Sequence, residues 1–151
     1  MFLQSIIEKM KIVELLSLTD KHIVELKGVF AEFSPNIHVI TDMLVRAIEN
    51  PWTHVFALLD DDGRIIGTAT LCVMELPTGS TAHVEAVVVK KEYRGQHLGR
   101  MLMEYIIDYA HHEVPGITIH LTSNPNRVVA NEMYKRLGFV QVETNVYRMK
   151  V

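Results

Sequence analysis

The sequence predicts a single α/β domain built on a mixed sheet. Short apolar runs of strand character alternate with longer stretches whose apolar residues recur at helical spacing. The 151 residues match one domain of ~100–200 residues. No repeat, low-complexity tract or Pro/Gly/Ser-rich linker divides them.

KIVELL (11–16) reads as the first strand. Thr19 can cap a helix running through Phe33, with Ile23, Leu26, Phe30 and Phe33 on one face. Ser34-Pro35-Asn36 interrupts it, and a second helical stretch over about 37–49 ends at Asn50-Pro51. WTHVFALLD (52–60) is a strand, and Asp61-Asp62-Gly63 has the chemistry of a hairpin turn. GRIIGTATLCVMEL (63–76) is a long strand, almost continuously apolar from Ile65, as expected of a strand covered on both faces. A loop over 77–80 leads to a fourth strand, TAHVEAVVVK (81–90). Its alternation puts His83, Glu85, Val87 and Val89 on one face and Val84, Ala86 and Val88 on the other. After KEYRGQH, a helix from about Leu98 to His112 carries the stripe Leu98, Met101, Leu102, Tyr105, Ile106, Tyr109 and Ala110. GITIHLT (116–122) is a fifth strand, and Asn124-Pro125 reads as a cap followed by proline at the first helical position. The helix that follows aligns Ala130, Met133, Tyr134 and Leu137 and stops at Gly138. FVQVE (139–143) and NVYRMKV (145–151) read as two final short strands.

Composition narrows the function. Apolar residues make up 48% and charged residues 22%, which excludes disordered, collagen-like and coiled-coil chains. No apolar run approaches the ~20 residues of a membrane span, and the start lacks a basic leader and a small-residue cleavage site. We expect neither membrane nor secretion signal. The single cysteine, Cys72, has no partner for an internal disulfide, which suits a reducing cytoplasm. The net charge is −3, unevenly spread: residues 1–75 hold 6 Lys and Arg against 11 Asp and Glu, residues 76–151 hold 9 against 7. An acidic chain is a poor nonspecific binder of nucleic acid, whereas a locally basic half suits a small polyanion.

The chemistry concentrates in VVVKKEYRGQHLGRMLM (87–103), where a strand runs through a glycine-bearing loop into a helix. Amides at a helix start have no internal partner, and the helix dipole adds positive potential there, so the turn can cradle phosphates. Gly95 and Gly99 let a ligand approach the backbone, and Lys90, Lys91, Arg94 and Arg100 add charge. The chain has no G-x-x-x-x-G-K-[ST] and no G-x-G-x-x-G near its first strand, which excludes the P-loop and the dinucleotide-binding turn. No His/Cys/Asp/Glu group has metal-ligand spacing, so no metal is expected. His111-His112 reads as a solvent-facing pair at a helix end.

V-x-V-x-x-x-Y-R-G-x-x-L-G is carried by Val87, Val89, Tyr93, Arg94, Gly95, Leu98 and Gly99. About thirty residues later comes N-x-x-Y-K-R-L-G-F, at Asn131 and Tyr134 to Phe139. Together they resemble the GNAT superfamily of acyl-CoA N-acyltransferases, and the likeness runs through essentially the whole chain. It departs at His97, where the family pattern [QR]-x-x-G-x-[GA] has its central glycine, and at Lys91, where proline is common. The resemblance implies a mixed, mostly antiparallel sheet with splayed central strands flanked by helices. It implies acetyl-CoA as cosubstrate: Arg94, Gly95, Gln96, His97, Leu98 and Gly99 form the pyrophosphate loop, the backbone of Val87 and Val89 pairs with the pantetheine arm, and Asn131 lies near the cofactor. It also implies a homodimer formed through the C-terminal strands.

The implied reaction is acetyl transfer to a primary amine in a small molecule, peptide or protein. Tyr134 matches the family tyrosine that often protonates the leaving thiolate. Glu85 is the candidate base, with His83 as a partner in a water relay; His120 is a weaker candidate. A strand amide near Val87 can hold the oxyanion. Two other readings stay open. One is a non-catalytic module that binds acetyl-CoA. The other is transfer to an aminosugar phosphate, although relatives with that substrate typically have an acidic residue at the position of Ala86.

Overall fold

A computed structural model describes residues 10–33 and 39–151. The readings of 34–38 as a helix break and of the chain's start therefore lie outside the described residues. The first compact unit extends to Leu121, and the second is Thr122–Val151.

In the first unit, β1 (Lys11–Glu14) is followed by α1 (Asp20–Ala31), α2 (Thr41–Glu49), β2 (Thr53–Leu59), β3 (Ile65–Leu76), β4 (Gly79–Val89), α3 (Leu98–Glu113) and β5 (Thr118–Leu121). A single 3-10 turn, Lys91–Tyr93, lies between β4 and α3. The five strands form one sheet in chain order, antiparallel except for the parallel β4–β5 pair. This is the mixed, mostly antiparallel sheet that the sequence predicts.

Local chemistry explains the elements. Thr19 caps α1 as expected: its hydroxyl accepts the His22 amide at 3.2 Å, and His22 Nδ1 accepts the Thr19 amide at 3.4 Å. β3 and β4 join through only Pro77-Thr78, so Gly79 and Ser80 belong to the strand rather than to a four-residue loop. One face of the sheet packs Val55, Ala57, Ile65 and Val88 against Leu26 and Val29 of α1 and Leu44 of α2. On the other, α3 buries Leu98, Leu102, Met103, Ile106 and Ala110, and Phe56 meets Tyr105 and Tyr109 edge-on. Met103, absent from the predicted stripe, is fully buried, while Tyr105 is exposed.

The second unit holds α4 (Val128–Arg136). Proline does not open this helix. Asn124 builds a turn first, accepting the Asn126 amide on Oδ1 at 2.9 Å and the Arg127 amide on its carbonyl at 2.9 Å, and the helix starts at Val128. The two final strands do not form: residues 139–151 carry no strand assignment. Val140, Val142, Val146, Tyr147 and Met149 are exposed instead. Their alternation fits a half-buried strand, but a strand needs a neighbouring ladder, and these residues have none among the described strands. The edge expected to join two copies is therefore not formed.

Gly67 marks a close approach in the sheet. A Cβ there would lie 2.9 Å from the Val88 carbonyl oxygen and 3.3 Å from Leu58 Cδ2. We expect Gly67→Ala to cost about 1–3 kcal/mol in urea denaturation. An unchanged midpoint would show that β3 and β4 are free to move apart.

Candidate active site

β4 is unusual beyond its midpoint. It pairs with β5 only from Thr81↔Thr118 to Val84↔Leu121, and Glu85 to Val89 have no strand partner on that side among the described residues. The edge is open because β5 ends at Leu121, opposite Val84. On the other side, β3 pairs Thr70 with Glu85 and Thr68 with Val88, so three steps on β4 oppose two on β3. The extra residue is a bulge, with Ala86 in the left-handed region at φ 50°.

The bulge corrects the predicted faces. Thr68 and Thr70 point the same way, so their partners Glu85 and Val88 share a face. Val84 and Val89, partners of Leu71 and Gly67, share the opposite one. Glu85 therefore does not share a face with Val89; strict alternation holds only as far as the bulge. Its carboxylate is exposed, on the side of the sheet that carries α1 and α2.

The loop after β4 is braced at three points. The Lys90 amide donates to the Ile66 carbonyl at 2.9 Å. Glu32, just past α1, accepts the Lys91 amide and lies 3.5 Å from Arg94 Nη2, and Arg94 Nε donates to the Val89 carbonyl at 2.8 Å. Tyr93 donates its hydroxyl to Asp60 Oδ2 at 3.2 Å. Asp60 is buried and also accepts the Asp62 and Arg64 amides at 3.0 and 2.9 Å and the Arg64 guanidinium at 2.8 Å. Burial raises the Asp60 carboxyl, but the Arg64 amide and guanidinium and the Asp62 amide outweigh it and hold the group below the usual carboxylate range. Burial first, then the neighbouring Asp60, pushes the Tyr93 phenol up.

Gly95 at φ 80° and His97 at φ 59° turn this braced loop into α3. The left-handed backbone at His97 accounts for a glycine at that position in the family pattern. Histidine occupies this region more readily than most residues. The first internal bond, from the Met101 amide to the His97 carbonyl at 3.0 Å, leaves the amides of Leu98, Gly99 and Arg100 without helical acceptors. A Cβ at Gly99 would meet nothing within 4 Å. Two of the four predicted cations are committed elsewhere: Arg94 to Val89 and Glu32, and Arg100 to Glu104 at 2.8 Å. Beside these two engaged cations, what the turn presents outward is the backbone amides of a helix start.

Other predicted residues fall elsewhere. His83 stacks on His120, with ring centroids 5.2 Å apart and planes at 22°. His112 Nδ1 engages the Asp108 carbonyl at 2.8 Å at the exposed end of α3, in keeping with an end-cap reading. In the second unit, the Asn131 side-chain amide donates to the Asn124 carbonyl at 3.0 Å, tying α4 to its preceding turn. Tyr134 meets Phe139 edge-on at 6.0 Å. Burial pushes its phenol up, against a smaller opposing effect of Arg127, so it carries its proton at neutral pH. No group of three metal-ligating side chains occurs among the described residues, and none of their helices is long and apolar enough to cross a membrane.

Sequence reasoning missed the brace and the bulge. Asp60 and Glu32 lie outside the motif, and a bulge leaves no signature in an apolar run such as VEAVVV.

Comparison with known proteins bears on the family and the fold. Residues 23–139 match the model of the acetyltransferase (GNAT) family. An uncharacterized N-acetyltransferase of Chlorobaculum tepidum is 27% identical over 111 residues, 72% of this chain and 66% of that protein, so the chain spans just under two thirds of its length. Among solved structures, an aminoglycoside acetyltransferase from an uncultured soil metagenomic sample, in complex with sisomicin, superposes with a TM-score of 0.78 at 17% identity, covering 96% of this chain and 99% of its own. The glucosamine-6-phosphate N-acetyltransferase of Arabidopsis thaliana gives 0.71 at 20% identity, covering 93% and 97%.

The Asp60 brace makes a pH prediction. Its carboxyl titrates lower in the fold than in the unfolded chain. Its stabilisation is therefore present above the unfolded-chain value, near 3.8, and is lost as pH falls through the folded one. Asp60→Asn should cost about 1–3 kcal/mol at neutral pH and flatten the acid limb of a stability-against-pH curve. Parallel curves for the two proteins would assign the acid limb to other carboxylates.

Proposed function

Because the chain belongs to the GNAT acetyltransferase family, we propose that it transfers acetyl from acetyl-CoA to a primary amine of a small-molecule acceptor, in a ternary complex. The observation that carries this reading is the open edge of β4 from Glu85 to Val89, leading through a braced loop to the free amides of α3. A pantetheine arm needs a strand edge to pair with, and a pyrophosphate needs outward amides and room beside them. This segment supplies both, and Gly99 leaves the room. The names of the solved relatives with aminoglycoside and glucosamine-6-phosphate specificity support a small amine as acceptor.

Acetyl-CoA supplies an acyl group activated as a thioester. In this reading the backbone of Val87 and Val89 aligns the pantetheine arm, and Gly95 to Gly99 hold the pyrophosphate. Arg94 acts mainly by holding the loop, and Asn131 supports the cofactor side. The acceptor amine adds to the thioester carbonyl to form the new C–N bond, and collapse of the tetrahedral adduct breaks the C–S bond. Its proton passes to Glu85, directly or through a water that His83 can share, and the Tyr134 phenol donates its proton to the sulfur. The exposure of Glu85 lets an acceptor reach it, and the raised phenol of Tyr134 suits an acid. A strand amide near Val87 would stabilise the oxyanion.

Two measurements test the reading. Gly99→Asp introduces a carboxylate beside the α3 amides without a steric clash, and should weaken acetyl-CoA binding by about 10- to 100-fold in calorimetry. Unchanged affinity in the folded variant would overturn the cofactor site. Tyr134→Phe should lower kcat for thiol release by roughly 10- to 1000-fold while acetyl-CoA affinity holds. An unchanged kcat would make Tyr134 a packing residue.

A further inference from the structure

A second constellation lies on the face of the sheet that carries Glu85. Thr53, Cys72, His83 and His120 are successive register partners across β2, β3, β4 and β5. Register partners point the same way, so the four side chains form one row. Farther along the same face, α1 and α2 cover the core around Val55, Ala57 and Val88. At the row the cover thins: Cys72 and His83 are half-buried, His120 is exposed, and Met74, one pair of residues farther along β3, is 40% exposed. Among the described residues, neither imidazole of the His83–His120 stack is hydrogen-bonded to a protein group.

We propose that the His83–His120 pair receives an anionic group, phosphate or carboxylate, carried by the acceptor, whose amine lies toward Glu85. The inference rests on the reading that acetyl transfer takes place at the open half of β4. Its chemistry comes from four groups. Each imidazole carries an N–H that an anion's oxygen can accept, and the stack sets two such donors side by side. Cys72, the next side chain in the row, adds no competing charge: burial first and the Glu85 carboxylate second push its thiol up, outweighing a hydrogen bond with Thr53. Glu85 lies two residues beyond His83 on the same strand and face, about 7 Å away at the usual rise of a strand. It therefore marks the cationic end of the track and His83–His120 the anionic end. The bulge follows Glu85 directly, so an amine drawn to Glu85 stands at the start of the open edge. An acceptor with its amine and an anion roughly 7 Å apart satisfies both ends. An uncharged amine leaves the imidazoles unsatisfied. A bound metal is a poorer occupant, because Cys72, His83 and His120 are not gathered into a group of three that could hold an ion.

Two experiments on the full chain test this. In the first, inorganic phosphate and, separately, acetate are titrated while the imidazole C–H resonances of His83 and His120 are followed by NMR. Saturable shifts of both rings, lost in His120→Gln, are expected. His120 is exposed, so this variant should keep the wild-type unfolding midpoint. The anion that saturates at lower concentration tells a phosphate seat from a carboxylate seat. Absence of a shift with either anion overturns the proposal. In the second, thiol release is measured with matched acceptors: an aminosugar against its phosphate ester, and a straight-chain ω-amino acid whose amine and carboxylate can lie about 7 Å apart against the amine lacking its carboxylate. The anionic member of a pair should have a KM at least about 10-fold lower, and His83→Gln and His120→Gln should each abolish most of that advantage. Equal KM values within both pairs, or an advantage that survives both variants, overturns the proposal. Failure of the chain to bind acetyl-CoA would instead strike the proposed transfer, while ring shifts with phosphate would still uphold the anion seat.

Discussion

One extra residue in β4 sets the geometry of the first unit. Opposite the two-residue step from Thr68 to Thr70, β4 takes three steps, and Ala86 absorbs the excess in a left-handed conformation. Such a backbone costs an L-residue roughly 1–2 kcal/mol and persists only where the surroundings enforce it. Here the enforcement comes from both sides of the bulge. Before it, β4 is held between β3 and β5; after it, Val88 is buried in the core with Leu26 and Val29, and Lys90 continues the ladder to Ile66. Moving either segment by one residue would expose Val88 or bury Glu85. The same kink lies at the point where β4 loses β5, which opens the edge of Glu85 to Val89.

The brace around the loop follows from that opening. A strand that loses a neighbour loses the ladder bonds that would fix its end, and side chains take over the task. Arg94 fills the gap at the Val89 carbonyl, Glu32 ties Arg94 and Lys91 to α1, and Asp60 ties Tyr93 to the β2–β3 turn. Asp60 can do this because its turn already gathers the Asp62 and Arg64 donors around one buried carboxylate. The loop is thus anchored to three separate elements before it reaches Gly95, and α3 starts in a defined direction with its free amides exposed.

Much of this was legible in the sequence, and the failures have physical reasons. The order of elements from β1 to α4 follows from period and punctuation, which the long elements α3, β2 and β3 carry most clearly because they bury most of their apolar residues. Thr19 identified the start of α1 because a cap is a local device. Position 97 was legible as a departure, and the left-handed backbone at His97 shows why glycine is the expected residue there. The faces of β4 were legible only up to Glu85, because alternation assumes a regular ladder and VEAVVV contains no residue that betrays a bulge. The final strands failed for a related reason. Val140, Val142 and Val146 have the right period, but a period specifies only which residues face alike, and a strand also needs a partner with free backbone groups. Asp60 and Glu32 were invisible because their partners lie 33 and 59 residues away.

The use of charge shows how the motif and the fold divide their tasks. Read as a string, Lys90, Lys91, Arg94 and Arg100 suggest an anion site built from cationic side chains. In the fold, Arg94 and Arg100 are engaged by Glu32 and Glu104, so the protein neutralises much of that charge itself. In the proposed function, what remains for an anion is directional: amides at the start of a 16-residue helix, aimed by a loop braced on three elements. A site of this kind discriminates by position more than by net charge, since each amide is useful only to an oxygen lying along its N–H vector. Long-range attraction of polyanions is weak, and selectivity for one bound geometry comes from the backbone that Asp60, Glu32 and the bulge at Ala86 hold in place.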